Sequence, residues 1–192
     1  RAAKAYQEAL FSGLVGIDPT LGYYGDLARS VPTVDNGGVK TVGQGMDVTY
    51  ELRSGLHWSD GQPINADDVI FTWQATATSD GYDRISGIDK QGDLGFTIHF
   101  RALYPAYALL FSAIVPKHRL AAIDRAQLAS DPYWSKPDVV SGPLTVLEAV
   151  PADHYTLQRN PHYSDGRADM PLLNHSAYLE TVSYTHLRAH ET

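Results

Sequence analysis

The stretch Leu52–Trp73, LRSGLHWSDGQPINADDVIFTW, decides how this chain is read. Just before and into it, MDVTYELRSG alternates, with Val48, Tyr50 and Leu52 on one face and Thr49, Glu51 and Arg53 on the other. That period of two marks a half-buried strand. The residues Ser59-Asp60-Gly61-Gln62-Pro63 then carry turn chemistry, with Asp60-Gly61 as the pivot. Asn65 stands where a helix N-cap belongs, and Asp68, three residues on, where the partner in a capping box belongs. Asp67 and Asp68 also sit at the positive end of the helix dipole, worth roughly a few tenths of a kcal/mol each. Val69, Ile70, Trp73 and Ala77 supply the apolar stripe of that helix. The aspartates and the spacing His57-x-x-Asp60 thus build a strand, a turn and a capped helix rather than a catalytic site.

Upstream, RAAKAYQEALFSGLVGIDP places Ala2, Ala5, Tyr6, Ala9, Leu10 and Gly13 at helical spacing. It opens in mid-pattern and without an initiator Met, so the natural N-terminus is expected to lie further upstream. GIDPTLGYYGDLARSVPTVDNGG is rich in turn residues and reads as a long ordered connection with short extended pieces. Downstream, GYDRISGIDKQGDLGFTIHF gives a short turn and a strand in which Phe96, Ile98 and Phe100 alternate with Thr97 and His99. YPAYALLFSAIV is an apolar helix or strand leading into Pro116, and AAIDRAQLASDPYW a short helix ended at Asp131-Pro132. SGPLTVLEAVPADHYTLQRNP reads as a hairpin, followed by a loop and a final strand. The tail Val182–Thr192, VSYTHLRAHET, lacks periodicity, and its codons can be written as a sequencing-adapter string, so it is expected to be non-native. The fold class is mixed α/β.

The bulk composition narrows the function classes. The chain has 192 residues, 43% hydrophobic and 19% charged, enough for one sizeable core or two small ones. Its net charge of −7, without a basic stripe, argues against a nucleic-acid partner. It contains no cysteine, which removes disulfides, thiolate metal sites and cysteine nucleophiles. The longest apolar run, Tyr104–Val115, is too short for a membrane span and contains Pro105.

YELRSGLHWSDGQPINADDVIFTW closely resembles the signature of family 5 extracellular solute-binding proteins, the peptide and nickel receptors of ABC importers. LFSGLVGID, GDLARSVPTV, IVPKHRL and SGPLTVLEAVPADHYTLQRNPHY resemble further family segments in the same order, over Leu10 to Glu180. Ser141 and Ser164 depart from the usual family residues, the first replacing Thr or Gly and the second an aromatic. The resemblance implies part of a type II periplasmic-binding-protein-like fold. Residues 1–181 would be a partial N-terminal lobe, with an added subdomain at about 13–130 and the lobe core in 1–12 and 131–181. The second lobe would lie outside the chain, and 182–192 would be the tail.

It also implies a function: capture of peptides or similar small solutes outside the cytoplasmic membrane and delivery to a permease. The protein would be periplasmic or a cell-surface lipoprotein, held at the membrane only through an anchor or the permease. A nickel or metallophore receptor of the same family is the alternative, and a hydrolase a remote one. No cofactor is implied.

Family position points to Lys4, Tyr82, Phe111, Ser112 and Gly142 as ligand-binding. Tyr82 either roofs the ligand or is an ordinary packed aromatic, and Phe111 is either ligand-facing or core. Arg53, Trp58 and Arg159 are assigned to the scaffold. His57, His99, His154 and His162 show no spacing that converges on a metal. Ser59, Ser112 and Ser141 offer hydroxyls, but there is no G-x-S-x-G elbow and no P-loop.

Overall fold

The computed structural model describes residues 7–77, 79–150 and 154–167. The readings that fall on Lys4, on the final strand and on the tail from Val182 lie outside the described residues.

A four-stranded antiparallel sheet forms around the alternating segment. Its strands are β3 (Val39–Val42), β4 (Gly45–Glu51), β5 (Ile85–Gln91) and β6 (Gly95–Phe100), in the spatial order β3-β4-β6-β5. The register pairs Met46 with Phe100, Val48 with Ile98 and Tyr50 with Phe96, so the apolar alternates of two central strands fall on one face. The rings of Tyr50 and Phe96 stack there with centroids 5.6 Å apart. This face, with Leu27, Ala28, Leu52, Trp58 and Val69, forms one buried core. Two short strands, β1 (Val15–Ile17) and β2 (Tyr23–Gly25), pair in the turn-rich connection.

A second core lies around the hairpin of β7 (Leu144–Val150) and β8 (His154–Arg159). Leu144 and Leu157 of that hairpin pack with Leu10, Phe11, Val115, Leu120, Leu128, Tyr133 and Val140. Besides the helical residues 7–10, the described residues include helices α1 (Ala66–Thr76), α2 (Lys117–Leu120) and α3 (Arg125–Leu128).

The capping box is formed as the sequence predicts. The Asn65 side chain accepts the Asp67 N–H at 2.9 Å, and Asp68 accepts the Asn65 N–H at 3.1 Å. Gly61 turns the chain at φ +84, a conformation that favours glycine.

Several elements differ from the reading. Where the sequence predicts only a short turn before β6, the chain forms a full strand, β5, broken by a bulge between Ile85 and Gly87 that hides its alternation. The apolar run after Tyr104 is neither a long helix nor a strand. It is a five-residue 3-10 turn, Pro105–Leu109, followed by irregular chain. The helical spacing that included Gly13 ends earlier, with residues 7–10 helical and Phe11 to Leu14 outside any helix.

The buried face of α1 is also not the expected stripe. Ile70, Trp73 and Ala77 are only half-buried, whereas Ala66, Asp68, Val69 and Thr72 are buried. Its polar members serve the backbone that packs on it: the Lys117 N–H donates to Asp68 Oδ1 at 2.9 Å, and the Val115 N–H to Thr72 Oγ1 at 3.0 Å. Chain 115–117 has no ladder to satisfy those groups, so the helix does. Arg53, read as outward, is buried and donates to the carbonyls of Asp26 and Gly25 at 2.9 and 3.2 Å.

Candidate functional site

Of the expected ligand-binding residues, Phe111, Ser112 and Gly142 meet on the segment Leu10 to Leu14, the end of a helical turn and the irregular chain after it, which joins the two cores. On one side the Leu14 N–H donates to the Phe111 carbonyl at 2.9 Å and the Ile114 N–H to the Ser12 carbonyl at 3.1 Å. On the other the Gly142 N–H donates to the Leu10 carbonyl at 2.8 Å, and the Ser12 N–H to Ser141 Oγ at 2.9 Å. The backbones touch. A Cβ on Gly13 would stand 2.6 Å from the Phe111 carbonyl oxygen, and one on Gly142 would stand 2.5 Å from the Leu10 carbonyl carbon. Glycine is therefore required at both positions for packing, whatever the ligand.

Phe111 is 1% exposed and lies in the first core, with its backbone at φ +55. A left-handed conformation costs a residue of this size about 1–2 kcal/mol. It is held by the Phe111 N–H, which donates to the Tyr82 hydroxyl at 2.7 Å, and by the edge-on contact of the two rings at 5.1 Å. Burial raises the Tyr82 hydroxyl above the usual phenol range, so it stays protonated. Gly81, at φ +83, lets the chain pass under Tyr104; a Cβ there would stand 2.7 Å from the Tyr104 hydroxyl. Tyr82 and Phe111 are thus bound to each other, and the next residue, Ser112, is exposed. Among the described residues, no partner is found for the peptide N–H and carbonyl groups of Ser112 and Ala113.

Around Gly142 the surroundings are buried and polar. Asn160 Nδ2 donates to the Gly142 carbonyl at 2.8 Å. Arg167, with no exposed side-chain surface, reaches Ser12 Oγ at 3.1 Å, the Ser141 carbonyl at 3.4 Å and Asp26 Oδ1 at 3.4 Å. Its guanidinium lies 4.4 Å from the centroid of the Tyr163 ring, and it also donates to the Tyr163 carbonyl. Sequence reasoning missed Arg167, Asp26 and Ser12. Their partners lie up to 155 residues apart, and no local pattern announces such a contact.

Several of the other residues considered for chemistry have local partners. Ser141 is buried and its hydroxyl oxygen accepts the Ser12 N–H. His118 Nε2 lies 2.9 Å from Asp60, and Asp165 Oδ2 lies 2.9 Å from His162 Nδ1 and 3.2 Å from His57 Nδ1. Among the described residues, no group of three or more His, Asp or Glu is placed to hold a metal ion. An open depression of ≈ 370 Å³ at the end of β4 is lined by Arg29, Glu51, Leu52, Arg53, Ser54, Leu94 and Gly166, none of them a residue singled out as ligand-binding.

The mixed α/β arrangement is that of part of a periplasmic-binding-protein fold, because solved structures of that class superpose on most of the chain. Residues 22–190 match the family described as bacterial extracellular solute-binding proteins, family 5 Middle, and the chain belongs to that family. The oligopeptide-binding protein AppA of Bacillus subtilis is 27% identical over 195 residues, covering 95% of this chain and 32% of the relative. The structure of AppA in complex with a nonapeptide superposes with a TM-score of 0.73 and 25% identity, over 85% of this chain and 33% of AppA. NikZ from Campylobacter jejuni in complex with Ni(L-His) shares the fold, with a TM-score of 0.70, 22% identity, and coverage of 81% of this chain and 31% of NikZ. The chain spans about a third of the length of these relatives.

Proposed function

We propose that this chain forms part of the first lobe of a receptor that captures peptides or similar small solutes and delivers them to the permease of an ABC importer. The observation that carries this reading is its similarity to AppA, in sequence and in fold, over more than four-fifths of the chain. The receptor would work outside the cytoplasmic membrane, periplasmic or held by a lipid anchor, a reading supported by the description of its family as extracellular solute-binding proteins. The ligand would lie between this lobe and a second one, so that contacts on both sides bias closure.

On our side of the cleft, exposed Ser112 and the peptide groups of Ser112 and Ala113 that have no partner among the described residues would offer main-chain hydrogen bonds, a mode of peptide recognition that tolerates varied side chains. Lys4 and the segment around Gly142 would lie near the same cleft. The added subdomain would be built on the four-stranded sheet, at about residues 13–130.

The test is a calorimetric titration of the complete protein that contains this chain with a mixed nonapeptide pool. Saturable binding in the micromolar range is expected, with only millimolar or no binding by residues 1–192 alone. Failure of the complete protein to bind any peptide, alongside tight binding of a nickel–histidine complex, would replace the peptide reading by the metallophore one.

A further inference from the structure

Tyr82 and Phe111 form a device that the ligand reading above does not use, although the inference rests on that reading. Phe111 occupies a left-handed conformation at φ +55, which a bulky side chain rarely adopts. Three contacts enforce it. Its N–H donates to the Tyr82 hydroxyl at 2.7 Å, its carbonyl accepts the Leu14 N–H at 2.9 Å, and its ring is buried edge-on to Tyr82. The Gly13 backbone passes so close that a Cβ would stand 2.7 Å from the Ser112 carbonyl oxygen, so the loop is backed by main chain. The consequence is a reversal of the chain that turns Ser112 outward while Phe111 stays in the core. Strain of this kind persists only where the surroundings over-determine it, and it collects at sites of binding.

We propose that Tyr82 is a positioning residue: its hydroxyl holds Phe111 in the left-handed conformation and thereby presents the Ser112–Ala113 peptide groups, preformed, to the peptide ligand. The hydroxyl touches no ligand itself. Without it, the Phe111 N–H is buried and unpaired, and the left-handed state loses the bond that offsets its strain. Only a fraction of molecules then holds the presenting conformation, and the apparent affinity falls by that fraction.

The test compares Tyr82→Phe with wild type in the complete protein, using the mixed nonapeptide pool as probe. Tyr82→Phe keeps the ring and removes only the hydroxyl that accepts the Phe111 N–H. The expected result is amide hydrogen exchange at Phe111 faster by about tenfold in the unliganded protein, with peptide affinity weaker by about tenfold. Wild-type binding with an unchanged Tyr82→Phe affinity overturns the positioning role and leaves the receptor reading intact. Unchanged exchange at Phe111 in that variant overturns it as well. Absence of any peptide binding by wild type removes both. If Tyr82→Phe does not fold, a wild-type Ser112–Ala113 segment that gains no exchange protection from bound peptide overturns the proposal.

Discussion

Replacing Asp68 by alanine tests how the first core is joined to helix α1. The carboxylate is 3% exposed and accepts three N–H groups: Asn65 N at 3.1 Å, Trp58 Nε1 at 3.3 Å and Lys117 N at 2.9 Å. Two belong to the turn and cap before α1, and the third opens α2. Alanine leaves all three without an acceptor in the interior, at about 1–3 kcal/mol for each buried donor. Allowing for relaxation, the total is about 3–5 kcal/mol, a large share of the roughly 5–15 kcal/mol that stabilises a domain. At about 2–4 °C per kcal/mol for a chain of this size, the melting temperature should fall by about 6–20 °C.

Asparagine should cost less, about 1–2 kcal/mol, because its oxygen can still serve Asn65 and Trp58 while its amide faces Lys117. Urea titrations followed by tryptophan fluorescence report the change well, since Trp58 is fully buried against Asp68. Burial holds the Asp68 carboxyl above its ordinary value of 3.8 despite its three donors. The folded chain therefore binds that proton more tightly than the unfolded one. The group's contribution to stability is greatest in acid and is lost as pH rises through its folded value. An alanine variant within about 1 kcal/mol of wild type, or an asparagine variant as costly as alanine, would refute the reasoning.

Other outcomes follow from the same geometry. His99 lies on the polar face of the sheet between Asp47 at 2.7 Å and Asp89 at 3.2 Å, and these carboxylates, Asp47 first, hold its imidazole above the ordinary 6.5. That contribution is fully present below 6.5 and is lost as pH rises through the folded value, so melting curves of wild type should decline on going from acid to alkaline pH more than those of His99→Gln. Parallel profiles would contradict this. Gly142→Ala should destabilise strongly or abolish folding, since its Cβ would stand 2.5 Å from a backbone carbon; a variant of native stability would contradict the packing role given to Gly142. Arg167→Met removes the group that joins Asp26, Ser12 and Ser141, and leaves Asp26 buried without that partner; a cost of about 3 kcal/mol or more is expected in urea titrations, and a neutral result would show the cluster to be dispensable.

The elements that depend on neighbours in sequence were legible before the structure. The alternation of Val48, Tyr50 and Leu52, the Asp60-Gly61 pivot, the Asn65–Asp68 capping box and the β7–β8 hairpin all carry their cause within a few residues. What failed depends on distant contacts. Strand β5 has Gly87 and a bulge in the middle of its pattern, and only pairing with β6 makes it a strand. The run after Tyr104 is apolar enough for a helix, yet Phe111 is pulled into a left-handed turn by Tyr82 and Leu14. Asp68 was read as a helix cap, which it is, but its burial against Trp58 and Lys117 has no local signal. For the candidate site, family position brought Tyr82, Phe111 and Ser112 into consideration. The division of labour among them, with two residues bound to each other and one exposed, is a property of the folded backbone alone.

The most direct test of the whole account is hydrogen exchange, followed by mass spectrometry, of the complete protein with and without the nonapeptide pool. A receptor whose first lobe is built as described should gain protection at Ser112–Ala113 and little across the solvent face of the four-stranded sheet. Binding that leaves residues 110–114 unprotected would contradict the placement of the site on this part of the fold.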